Sequence, residues 1–119
     1  CNPAIQHAGH PVACLAAKAG VCAAKQGKFW PYHERMFENQ KRLSRMILVE
    51  LAAEEKLDGP AFETCLASDE ALEIVKKDAE QGTKLAIQGT PAVYINGRFF
   101  RDWPDPERVR MVIEAERKK

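Results

Sequence analysis

Sulfur is the first chemistry this sequence offers. Cys1, Cys14, Cys22 and Cys65 are more cysteine than a cytosolic chain ordinarily carries and fewer than a disulfide scaffold. No two have the Cys-x-x-Cys spacing in which one thiolate attacks and its neighbour resolves. Cys14 and Cys22 fall in one helical stretch, separated by about 12 Å of axial rise. A disulfide needs Cα atoms within roughly 7 Å, so those two cannot pair in a straight helix. Two patterns remain: Cys1–Cys14 with Cys22–Cys65, or Cys1–Cys22 with Cys14–Cys65. Against both stands the reading in which Cys22 and Cys65 are reduced and buried as small hydrophobes. A different class is a small structural zinc site from Cys1, His7, His10 and Cys14. Two sulfurs and two nitrogens suit tetrahedral zinc, but the C-x5-H-x2-H-x3-C spacing matches no standard finger or ribbon. The favoured expectation is no metal and no cofactor.

Histidine is the other candidate for chemistry, since its ordinary pKa lies near neutrality. His33 shares a helical face with Trp30 and Phe37, which predicts a packed histidine with one hydrogen bond rather than an acid–base group. Phe29 and Trp30 are likewise expected in the core.

The elements that must position these groups read as follows. Residues 1–10 are turn-rich, and Pro11 suits a first helical position. Residues 12–26 are alanine-rich helix with Leu15, Ala19 and Cys22 on one stripe, closed by Gly27. Phe29-Trp30-Pro31 opens a second helix to about Gln40. Ser44 caps a third over residues 45–56, with Ile47, Leu48, Leu51 and Ala52 inward. Asp58-Gly59-Pro60 opens a short fourth with Phe62, Cys65 and Leu66 on one face. Ser68 caps a fifth, running to about Ala86 with Leu72, Val75 and Ala79 inward. Ala92-Val93-Tyr94-Ile95 then has strand composition. Asn96-Gly97 signals a tight hairpin, and Arg98-Phe99-Phe100-Arg101 returns. Asp105-Pro106-Glu107 opens a last helix carrying Val109, Val112 and Ile113. A hairpin alone is marginal, so this order looks like a domain missing part of its sheet. The hairpin edge is therefore expected to pair with a second copy, giving a homodimer.

Composition narrows the classes. At 119 residues the chain is one domain or a domain fragment. Apolar residues are 45% and charged residues 29%, which excludes disorder. Eighteen basic against 17 acidic residues gives a net charge of +1, with no electrostatic case for nucleic acid or anionic membrane. The longest apolar runs, residues 13–17 and 46–49, are far too short to span a bilayer. The first residue is Cys1 rather than methionine, which predicts a processed product, an excised domain or a segment cut from something longer.

Residues 89–97, Gly-Thr-Pro-Ala-Val-Tyr-Ile-Asn-Gly, carry a resemblance. Gly-Thr-Pro, a short apolar strand, Asn-Gly and a return strand look like the cis-proline loop of thioredoxin-fold proteins. Gln26-Gly27-Lys28-Phe29-Trp30, with His33 and Phe37, is similar to a stretch of the DsbA-like thiol–disulfide oxidoreductases. Leu57-Asp58-Gly59, with Phe62, Cys65 and Leu66, resembles the helical insert of that family. The resemblance covers about residues 10–115 and includes thioredoxin-like domains fused to vitamin K epoxide reductase-like membrane proteins. It implies a mostly helical α+β chain, an incomplete thioredoxin-like fold. Residues 11–88 would be the helical insertion of about five helices. Residues 89–119 would be the cis-proline loop, β-hairpin and C-terminal helix.

It further implies a parent oxidoreductase whose Cys-x-x-Cys half precedes Cys1, so that no catalytic residue lies in this chain and the chain alone is inactive. The Thr90–Pro91 bond would be cis, with Gly89 and Ala92 leaving the turn uncrowded. Thr90 and Pro91 would bind substrate, Thr90 pairing its backbone with an extended polypeptide. The partners would be protein thiols or disulfides and a membrane redox protein, and the compartment periplasmic or otherwise extracytoplasmic. The competing class is a non-catalytic helical interaction module.

Overall fold

Capping chemistry sets the boundaries of the helices. The computed structural model describes Cys1 and residues 12–119. It contains α1 (Ala13–Lys25), α2 (Phe29–Glu38), a 3-10 turn (Gln40–Arg42), α3 (Arg45–Glu54), α4 (Gly59–Leu66) and α5 (Asp69–Lys84). Strands β1 (Tyr94–Ile95) and β2 (Arg98–Phe99) and helix α6 (Pro106–Arg117) follow. The class is α+β and mostly helical. The chain divides into two compact units, Cys1–Thr83 and Lys84–Lys119.

In the first unit, the Ser44 hydroxyl accepts from the Ile47 amide at 3.2 Å and opens α3. The Asp58 carboxylate accepts from the Ala61 amide at 3.0 Å and opens α4, with Pro60 in the first turn. Ser68 accepts from the Ala71 amide at 3.2 Å and opens α5. Gly27 ends α1 at φ 74°, where a side chain would be strained. The amides of Gly27 and Lys28 there reach back to Ala24 and Ala23 in a Schellman closure. Helix α3 closes the same way with Lys56 at φ 60°, and the following Leu57 turns into the core.

The core joins α1 to α4 and the start of α5. Ala19, Cys22, Ala23, Tyr32, Leu48, Leu51, Phe62, Leu66 and Ala71 are buried in it. Small residues on α1 let α2 and α4 approach closely. Tyr32 is the polar exception. Its hydroxyl donates to the Leu48 carbonyl at 2.8 Å, and its ring lies 5.6 Å from that of Phe62. Burial pushes the Tyr32 phenol well above its ordinary pKa, so it stays a donor.

Four expectations need correction. First, α2 stops at Glu38, because Asn39 donates to the Arg35 carbonyl at 2.8 Å and accepts from Arg42 at 2.8 Å. Lys41 and Arg42 therefore sit in the 3-10 turn. Second, Trp30 is not core but 70% exposed and Phe29 is only half-buried, while Phe37 on the outer side is 59% exposed. Helix α2 carries two apolar stripes, and its packing side buries only Tyr32 and Met36. Third, α5 ends at Lys84, with Ala86 at φ 55°. Fourth, Ile113 on α6 is exposed, leaving Val109 and Val112 half-buried.

In the second unit the strands are shorter than the apolar runs suggested. They pair antiparallel, Tyr94 opposite Phe99 and Ile95 opposite Arg98. One more bond, from the Phe100 amide to the Val93 carbonyl at 2.8 Å, continues the ladder. Asp105 opens α6 by accepting from the Glu107 amide at 3.0 Å.

Candidate functional site

The loop that leads into β1 is the first candidate. Asn96 at φ 47° and Gly97 at φ 80° make the two-residue turn that aligns β1 with β2. The rings of Tyr94 and Phe99, directly opposite in register, lie 5.3 Å apart. The turn is tied to the helix of its own unit: the Asn96 side-chain amide donates to Glu116 at 3.1 Å. Lys119 binds the same carboxylate at 2.7 Å. The hydrogen bonds from Lys119 and Asn96 hold the Glu116 carboxyl below its ordinary pKa.

This frame holds Gly89, Thr90 and Pro91, all exposed, immediately before the hairpin. The Thr90–Pro91 peptide bond is cis. Among the described residues, neither the Thr90 N–H nor its carbonyl enters a backbone hydrogen bond. Both groups are therefore left to water or to a bound chain. Two open surface depressions in this unit are lined by residues between Arg101 and Arg117, and neither includes Thr90 or Pro91.

The cysteines belong to the first unit. Cys22 on α1 and Cys65 on α4 are bridged, with Cα atoms 5.8 Å apart and Cys22 only 1% exposed. Cys1 and Cys14 are bridged as well, at a Cα separation of 5.3 Å, with Cys1 exposed. The two disulfides follow the first of the two patterns open to the sequence. Among the described residues no cysteine carries an unbridged thiol. A bridged sulfur is not the thiolate that zinc binds. The proposed zinc set thereby loses both its sulfurs, and its His7 and His10 lie outside the described residues.

The motif Gln26-Gly27-Lys28-Phe29-Trp30 divides into a joint and a surface. Gln26 accepts from the Asp58 amide at 2.8 Å and donates to its carbonyl at 3.2 Å, tying α1 to α4. Lys28 donates to the Glu55 carbonyl at 2.7 Å, tying the start of α2 to the end of α3. Beyond that joint, Trp30, His33 and Phe37 line the outer side of α2, while Phe29 packs over Gly20 of α1. The His33 ring lies 5.5 Å from both Phe29 and Trp30, and 4.8 Å from Phe37. His33 is half-buried among them, without a hydrogen-bond partner among the described residues. Sequence reasoning missed this outer row. The signal was present: Tyr32 and Met36 form an i, i+4 pair, leaving Trp30, His33 and Phe37 on another face.

A family profile described as Thioredoxin matches residues 6–115. The Na(+)/H(+) antiporter NhaA of Herminiimonas arsenicoxydans is 36% identical over 92% of this chain, which spans 18% of that protein. The probable disulfide bond formation protein D of Bacillus cereus is 33% identical over 88% of this chain. Disulfide bond formation protein D of Bacillus subtilis is 28% identical over 92% of it. The chain spans 52% of the length of each of the two Bacillus proteins. No solved structure matches significantly.

Proposed function

The chain belongs to the thioredoxin family, and from that premise we propose that it is part of a thiol–disulfide oxidoreductase that forms or isomerises protein disulfides. The observation that carries this reading is the 33% identity, across 88% of the chain, to a probable disulfide bond formation protein. The nucleophile would come from a Cys-x-x-Cys half upstream of Cys1, since every cysteine here is bridged. Residues 11–88 would serve as its helical insertion and residues 89–119 as its substrate loop, hairpin and last helix. Thr90 and Pro91 would bind the substrate, an extended polypeptide carrying thiols or a disulfide. The Thr90 backbone groups, which have no backbone partner among the described residues, support that role because they suit strand-like pairing. An extracytoplasmic compartment, such as the periplasm, fits a chain with two disulfides. No helix among the described residues is long and apolar enough to cross a membrane.

The experiment is to join the chain to its upstream sequence and assay disulfide formation in a reduced, unfolded protein. Turnover that is lost on mutating an upstream Cys-x-x-Cys supports the reading. An upstream sequence lacking that dithiol overturns it. Thr90→Arg should weaken polypeptide substrates while sparing small thiols, because only the former pair along the loop. This chain by itself should not catalyse insulin reduction at a useful rate, since it lacks the Cys-x-x-Cys pair in which one thiolate attacks and its neighbour resolves.

A second setting is favoured by the antiporter relative, of which a matching domain is a minor part. There the domain would be attached to a membrane protein.

A further inference from the structure

The two disulfides differ in ways that matter to thiol chemistry. We propose that the Cys1–Cys14 bridge is itself a redox-exchanging site for an external dithiol, whereas Cys22–Cys65 is a fixed cross-link. This goes beyond the preceding reading, because it needs no upstream Cys-x-x-Cys and concerns residues of this chain alone.

Access is the first argument. A thiolate must reach a disulfide sulfur to displace its partner. Cys22 is 1% exposed and Cys65 half-buried where α1 meets α4, so that bridge is shielded. Cys1 is exposed. The leaving group is the second argument. Exchange is faster when the departing sulfur is the better-stabilised thiolate. Cys14 is the second residue of α1, at the positive end of a 13-residue helix. Val12 provides no side-chain cap, and the first turn carries no acidic residue. Among the described residues no side-chain oxygen caps these first-turn amides, and the first turn holds no carboxylate to oppose a negative sulfur. Lys18, one turn along, adds a cation on the same face.

The step balances within a dithiol substrate. One substrate thiolate attacks the Cys1 sulfur, forming a mixed disulfide and breaking the Cys1–Cys14 bond. Cys14 departs as a thiolate and takes a proton from water. The second substrate thiolate then attacks the substrate sulfur of the mixed disulfide and releases Cys1 as a thiolate. The substrate is oxidised to a disulfide, and Cys1 and Cys14 are reduced by two electrons. The reverse sequence reduces a substrate disulfide.

The test uses the intact chain with dithiothreitol as the dithiol and alkylation mapped by mass spectrometry. Cys1 and Cys14 should become alkylated at reductant concentrations that leave Cys22–Cys65 bridged and the helical circular dichroism unchanged. Oxidised dithiothreitol in excess should restore the bridge. Once reduced, Cys14 in the folded chain should react with iodoacetamide at pH 7 about tenfold faster than in the urea-denatured chain, since a stabilised thiolate is more populated. Lys18→Glu should reduce that advantage severalfold without altering the rate in urea. Two results overturn the proposal. One is a Cys1–Cys14 bridge that yields only together with Cys22–Cys65 as the fold melts. The other is a Cys14 that reacts no faster folded than denatured, which would make the bridge merely exposed.

Discussion

The fully buried apolar side chains among the described residues, from Ala19 to Ala71, all belong to Cys1–Thr83, and none belongs to Lys84–Lys119. The helical unit has a packed interior, a buried tyrosine hydroxyl with its acceptor, and a disulfide across two of its helices. The hairpin unit has turn chemistry, one capped helix and a side-chain tether, while Phe99, Trp103, Met111 and Ile113 stay exposed. Caps and turns specify local geometry at about 1 kcal/mol each, whereas burial of large side chains supplies most of a domain's stability. The unit that presents Thr90 and Pro91 is therefore shaped locally, and the rigid part of the chain lies elsewhere. Site loops are commonly drawn from such low-stability segments.

Hydrogen exchange would show the largest difference. Amides of Leu48 and Leu51 should exchange only through global unfolding, at least about a thousandfold more slowly than that of Phe100, which the hairpin ladder ties to the Val93 carbonyl. Equal protection in the two units would break the comparison. Single truncations come next. Phe62→Ala should cost about 3–5 kcal/mol in chemical denaturation, while Phe99→Ala should cost less than about 1 kcal/mol. A large loss at Phe99 would mean that the hairpin carries a core of its own.

A smaller effect tests the polar group in the helical core. Tyr32→Phe removes the hydroxyl's bond to the Leu48 carbonyl, which keeps its helical partner in α3, and should cost about 0.5–1.5 kcal/mol with little change in fold. The smallest effect lies in the hairpin unit. The carboxyl of Glu116 titrates lower folded than unfolded, so its ties to Lys119 and Asn96 contribute above the ordinary value of 4.5. That contribution should fade as pH falls below 4.5 through the lowered folded value. The Asn96 side-chain NMR signals should report the change, and Glu116→Gln should remove the pH dependence without disturbing the helical unit.

Much of this chain was legible because local chemistry decides it. Ser44, Asp58 and Asp105 are short polar acceptors just before helical periodicity, and each caps as its type predicts. Asn96-Gly97 admits positive φ at both turn positions, and the hairpin forms around it. Less legible was the row Trp30, His33 and Phe37. Periodicity reports that a face is apolar, not which apolar face a neighbouring helix will cover. The strands were overestimated because β-branched composition marks a tendency, while pairing ends where the partner chain diverges.

The sequence by itself determined the helices, their caps, the hairpin turn and the impossibility of a Cys14–Cys22 bridge, all consequences of backbone sterics and residue spacing. The apolar stripes of α1 and α4 also turn Cys22 and Cys65 toward a common core, and there they bridge; tertiary structure alone decided that Tyr32 finds the Leu48 carbonyl and that Trp30 and Phe37 of α2 face outward. Those outcomes depend on which surfaces come together in space. That choice is made by summed burial over many residues distant in sequence, and no local pattern encodes it.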